Sequence, residues 1–266
     1  MSFRALCAAA LLSVASAAPA LAQAQPMPQP VAATRLDEIV AKGVLRVGTT
    51  GDYKPFTYLD KATGKFEGFD IDLAENLGKA LGVRIEFVQT AWPKLMADYE
   101  AGAYDIAMGG ISITLDRAKK AYFSAPMMRE GKTPIARCAD KDKFQTIADI
   151  DKAGVRVITN PGGTNEKFGR ANLKAAEIKV HNDNVTIFKE IVAGNADLMI
   201  TDSSETLYQQ KLNPELCAIH PEKPFDFAEK AYLLPRDAAL KAFVDQWLHL
   251  AMETGVYKST QAKWFN

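Results

Sequence analysis

A strand–helix–strand alternation runs through the first half of the chain and starts afresh in the second, and no other feature constrains the fold as much. A short helix at residues 36–42, closed by Gly43, leads into residues 44–49 (VLRVGT), a buried strand. Residues 68–81 carry apolar side chains at helical spacing up to Gly82, and residues 83–90 alternate as a strand does. A helix at 92–101 and a strand at 104–109 (YDIAMG) complete a βαβαβ unit. The second half repeats it, with strands at 155–159 (VRVIT), 178–181 and 196–201 (ADLMIT) and helices at 165–173 and 185–193. Alternation of this kind predicts a mostly parallel sheet flanked by helices, because parallel neighbours need a crossover long enough to hold a helix. Two such units in tandem predict two lobes.

The connections divide the chain further. The extended stretch 123–136 joins the lobes once and 225–234 crosses back, a two-strand hinge that returns the C-terminal helix at 238–255 to the first lobe. The expected division is residues 35–130 with 228–266 for the first lobe and 131–227 for the second. Ligands of open parallel sheets sit outside the carboxyl ends of the strands. The loops there, 50–56, 109–117, 160–166 and 202–205, should all face one cleft.

The N-terminus reads as an export signal. Arg4 precedes the small-residue apolar run 5–18, and Ala20-Leu21-Ala22 forms an A-x-A cleavage site before Gln23. The run is shorter than the ~20 apolar residues of a membrane span, so no stable membrane anchor is expected. Cys7 lies inside the run, not behind a lipoprotein cleavage site. Residues 23–34 (QAQPMPQPVAAT) lack periodicity and read as a disordered leader.

Cleavage removes Arg4 and no acid, leaving 31 basic against 32 acidic side chains, so charge offers no case for a nucleic-acid partner. Cys138 and Cys217 survive cleavage, and in an oxidising compartment they form either a disulfide or two buried thiols. His181, His220 and His249 lack metal-ligand spacing with one another or with the cysteines, and no metal or cofactor is expected. Gly131-Lys132-Thr133 mimics the end of a phosphate loop, but Pro126 stands where its first glycine belongs.

The segments TGDYKPFTY, GFDIDLAENLGKALG, YDIAMGGISITLDRAKKAYFSAP, NPGGTNEKF and ADLMITD together resemble the amino-acid-binding class of periplasmic solute-binding proteins over nearly the whole mature chain. The resemblance implies a periplasmic binding protein-like type II α/β fold and a periplasmic location. A closer resemblance, carried by WPKLM, REGKTPI, NDNVTIF, PELCAIHP and PFDFAEKAYLLPRD in the same chain, is to cyclohexadienyl dehydratases, which convert prephenate or arogenate to phenylpyruvate or phenylalanine on this scaffold.

That resemblance implies roles for particular residues. Arg117 would grip a ligand carboxylate, with Gly110, Ser112 and Thr114 adding bonds; its bland alternative is a solvated arginine at a charged helix start. Asp202 would pair with a ligand ammonium or simply cap a helix. Phe56 and Trp92 would wall a ring, or serve as ordinary core, and Tyr53 would present a hydroxyl. Apart from the resemblance, Lys132 and Asn160 lie near the cleft and could touch a second substrate carboxylate, and Thr164 belongs to the glycine-rich turn 160–166. Glu166 at the end of that turn would be the general acid that protonates the departing ring hydroxyl; without the resemblance it is a first-turn glutamate favoured by the helix dipole. The implied partner is a small molecule. The alternatives are a non-catalytic amino-acid-binding subunit of an importer and, more remotely, a detached sensor module. Whether the chain forms a homo-oligomer is left open.

Overall fold

The VLRVGT run becomes the strand Val44–Thr49, an inner strand of a five-stranded sheet. It pairs in parallel with Arg84–Gln89, Val44 opposite Arg84 and Thr49 opposite Gln89, and on its other side with Ile106–Ala107. The helix Phe69–Leu81 between the first two strands buries Phe69, Leu73, Ala74 and Leu77 and ends at Gly82, whose φ of 70° closes the helix in a left-handed cap. These residues form one core with Leu45, Val47, Phe56 and four side chains of the helix Ala238–Glu253, namely Leu240, Val244, Trp247 and Leu248. The computed structural model describes residues 32–266; the export signal at 1–22 and the leader up to residue 31 lie outside the described residues.

A second five-stranded sheet is built the same way. Arg156–Thr159 pairs in parallel with Glu177–Val180 and with Leu198–Asp202. Both sheets depart from a purely parallel arrangement at one edge. Leu233–Leu234 and Tyr122–Phe123 complete the first sheet in antiparallel pairings, as Lys132–Arg137 and Leu216–Ala218 complete the second. The reason is topological: chain that passes between lobes arrives without a helical crossover and adds to a sheet in the opposite sense. The crossing itself is an antiparallel pair, Met128–Glu130 against Ala228–Lys230.

Two elements differ from the periodicity reading. Residues 52–67 form a small three-stranded antiparallel sheet, Asp52–Tyr53, Thr57–Asp60 and Lys65–Glu67, the first strand of which falls in the loop expected at 50–56. The C-terminal helix is followed by another, Val256–Phe265, after Gly255 at φ 82°. Cys138 follows the strand Lys132–Arg137 and Cys217 lies in its antiparallel neighbour; the two sulfurs are bonded at 2.00 Å.

Candidate functional site

The carboxyl ends of the strands deliver their loops to a pocket with about 280 Å³ of empty space, lined from one side by Tyr53, Trp92, Gly110, Ser112 and Arg117 and from the other by Asn160, Thr164, Asn165, Asn184 and Asp202. Gly110 is there for a steric reason. Its φ is 67°, and a Cβ would stand 2.5 Å from the Tyr53 ring. Its N–H donates to the buried carboxylate of Asp70 at 2.6 Å, which also accepts from the Tyr232 hydroxyl at 3.1 Å.

Arg117 is buried in the floor, where its guanidinium donates one N–H to the Ser112 carbonyl at 2.8 Å. Burial lowers its pKa to about 10, so it stays charged at neutral pH with donors left for a ligand. Thr114 does not reach the pocket. Its hydroxyl caps the short helix Leu115–Ala118 by accepting from the Arg117 N–H, so it positions the arginine and leaves the ligand to other groups.

Phe56 also lies outside the pocket lining. It is fully buried, stacked on Tyr53 at 5.2 Å between centroids, and braces the wall without forming it. Trp92 is a wall residue, packed edge-on to Tyr53, its indole N–H donating to Asp52 at 3.0 Å. Next to it, Gly162 at φ 75° packs so tightly on Pro93 that a Cβ would stand 2.7 Å away. Together with the bond from Asn184 Nδ2 to the Asp52 carbonyl at 2.9 Å, this contact holds the two sides together across the cleft.

Asp202 departs from the capping expectation. It stands at the N-cap position of Ser203–Leu212 without making a side-chain cap bond. Its carboxylate instead receives two buried lysines. Lys132 Nζ donates to Oδ1 at 2.7 Å; Lys230 Nζ and the Tyr53 hydroxyl donate to Oδ2, each at 2.5 Å. Burial pushes this carboxyl up, but the two ammoniums prevail and hold it well below the usual carboxylate range. Lys132, turned to Asp202, Thr164 and Asn165, is behind the surface of the pocket, whereas Lys230 is on it. Lys230, Asn165 and Asn184 escape the sequence reading. A lysine inside the apolar stretch AEKAYLL was the available signal, since a buried cation needs a partner.

Glu166 is the largest departure. It occupies the first turn of the helix Thr164–Asn172, but its side chain is outside the pocket lining. One oxygen accepts from the Gly162 N–H at 2.6 Å and the other from Arg170 at 2.8 Å. The Gly162 bond, followed by Arg170, lowers its pKa, as the helix N-terminus does for any first-turn acid.

Residues 45–266 match the bacterial extracellular solute-binding proteins, family 3. The chain belongs to that family. Its fold is the two-lobed type II periplasmic binding protein fold of these extracellular solute-binding proteins. This member of solute-binding family 3 is 57% identical over 231 residues to the cyclohexadienyl dehydratase of Pseudomonas aeruginosa, covering 87% of this chain and 86% of that one. A crystal structure of an ancestral cyclohexadienyl dehydratase is 52% identical, with a TM-score of 0.56 over 88% of this chain and 98% of that one. The crystal structure of an ancestral amino acid-binding protein, a precursor of cyclohexadienyl dehydratase, is 38% identical, with a TM-score of 0.80 over 87% of this chain and 99% of that one.

Proposed function

We propose that this solute-binding family member is a cyclohexadienyl dehydratase acting in the periplasm, a carbon–oxygen lyase that needs no cofactor. The observation that carries the reading is 57% identity to such an enzyme along nearly the whole folded chain, together with a pocket built to receive anions. Arg117 is presented for a carboxylate, and Lys230 and the Ser112 and Thr164 hydroxyls stand around it.

The reaction breaks two bonds of a cyclohexadienyl ring. The ring carboxylate leaves as carbon dioxide, its bonding pair enters the ring, and the ring C–O bond breaks as the ring becomes aromatic. Hydroxide is a poor leaving group, so a proton must reach that oxygen as it departs. Glu166 is the donor in this reading. Binding of a carboxylate-bearing substrate opposes the charge on Glu166 and raises its pKa, while closure removes water from around it. Its side chain then leaves Gly162 and Arg170 and turns past Thr164 towards the ring. The aromatic wall of Trp92 and Tyr53 holds the ring, and the anchored carboxylate fixes which face meets the acid.

The test is direct. The mature protein incubated with prephenate or arogenate is expected to form phenylpyruvate or phenylalanine. Tight binding of a common amino acid without turnover of either compound would instead assign it the importer role.

A further inference from the structure

We propose that Lys132 and Lys230, by pairing with Asp202, make this pocket select a keto dicarboxylate over the amino dicarboxylate of the same skeleton. The inference rests on the dehydratase reading and specifies its substrate class.

A carboxylate offers about four lone-pair positions. Three donors already point at Asp202, namely Lys132 Nζ on Oδ1 and Lys230 Nζ with the Tyr53 hydroxyl on Oδ2. The side chains of the aspartate and both lysines are each 3% exposed or less, so these ion pairs are shielded from solvent. An incoming ammonium would have to displace a buried ammonium from its counter-ion or lie beside it. Like charges at that separation in a desolvated site are strongly unfavourable.

A ketone meets the opposite situation. Lys230 donates to Asp202, to Ser112 Oγ at 3.0 Å and to Tyr53 Oη at a long 3.4 Å, and the last is the N–H that can turn to a ligand carbonyl oxygen without undoing the pair. The charge balance agrees. Arg117, Lys132 and Lys230 are three cations around one firmly ionised carboxylate, Asp202. Burial favours the neutral form of the neighbouring acids: it pushes Glu205 up to about 8 and Asp70 up to about 7, and raises Glu130. The pocket therefore carries an excess of positive charge that two carboxylates neutralise and an added ammonium restores.

The deciding measurement is kcat/KM for prephenate and for arogenate on the mature wild-type protein. Prephenate is expected to be favoured by about tenfold or more, the scale on which charge complementarity discriminates. Equal efficiencies, or a preference for arogenate, would overturn the inference and leave the dehydratase reading standing; turnover of neither removes both. Lys230→Met is expected to bring the ratio of the two efficiencies close to one, mainly by loss on prephenate. Equal loss on both substrates, the mark of a lysine with a structural role alone, would overturn the proposal. If that variant does not fold, Asp202→Asn decides alongside the wild-type ratio. It retains a carbonyl acceptor for the lysines and should lower both substrates in step, whereas a selective loss of arogenate turnover would identify Asp202 as the ammonium receptor.

Discussion

Asp70 shows how a single buried acid ties the pocket to stability. It lies under Gly110, fully buried, accepting from that N–H and from Tyr232, and burial lifts its pKa to about 7 against an ordinary 3.8. The folded chain therefore holds a proton on Asp70 between about pH 4 and 7 that the unfolded chain has released. Stability from this residue is full below the unfolded pKa and is lost as pH rises through 7. Asp70→Asn, which keeps an acceptor for Gly110, is expected to flatten the decline of Tm between pH 5 and pH 8; an unchanged slope would place the titration elsewhere. Glu166 has the opposite sign. Arg170 and Gly162 favour its ionised form, and a general acid is useful only when protonated. Arg170→Met should raise the carboxyl pKa of the free enzyme and move the alkaline limb of the kcat/KM profile to higher pH, with little change in fold because the pair is exposed on the arginine side. A limb that stays put would detach Glu166 from the profile. The residue types at these positions were readable in the sequence, but their directions were not. A first-turn glutamate beside an i+4 arginine looks the same on paper whether it faces cleft or solvent, and nothing local in ADLMITD announces that Lys132 and Lys230, remote in sequence, converge on its last residue.

At the level of elements, the disulfide joins the outer strand of the second sheet to the chain leaving its neighbour and closes a loop of 79 residues. Replacing Cys138 and Cys217 by serine is expected to destabilise the protein by about 2–4 kcal/mol, read as a fall in Tm, since a closed loop of that length removes much entropy from the unfolded chain. Neither cysteine lines the pocket, so the rate at a temperature where the variant is folded should be unchanged. Helices and strands with strong periodicity were legible to within a few residues. The helix expected at residues 68–81 spans Phe69–Leu81 and the strand expected at 83–90 spans Arg84–Gln89, because glycines and a change of period mark their ends. The helix expected at 92–101 shortens to Leu95–Glu100, since the turn containing Trp92 and Pro93 packs across the cleft on Gly162. The strands of residues 52–67 were missed because two to four residues are too short a window for a period of two to register.

For the whole molecule, the two sheets meet where only loops and the pair Met128–Glu130 and Ala228–Lys230 connect them, so the pocket exists only while the cleft contacts hold. The ancestral dehydratase is closer in sequence than the ancestral binder, 52% against 38%, yet less similar in overall shape, with TM-scores of 0.56 and 0.80 over nearly equal shares of this chain. Two sheets hinged on a pair of strands can separate without changing either lobe, and admission of a ring-sized ligand to so enclosed a pocket requires it. Closure then excludes water from the pocket. The most direct measurement is phenylpyruvate formation from prephenate by the mature wild type and by Glu166→Gln side by side, with substrate binding followed by calorimetry. Turnover by the wild type, a loss of at least about 100-fold in the variant and binding retained in both are expected; a variant as fast as the wild type would rule out Glu166 as the proton donor, and a wild type that binds without turnover would rule out catalysis in this cleft.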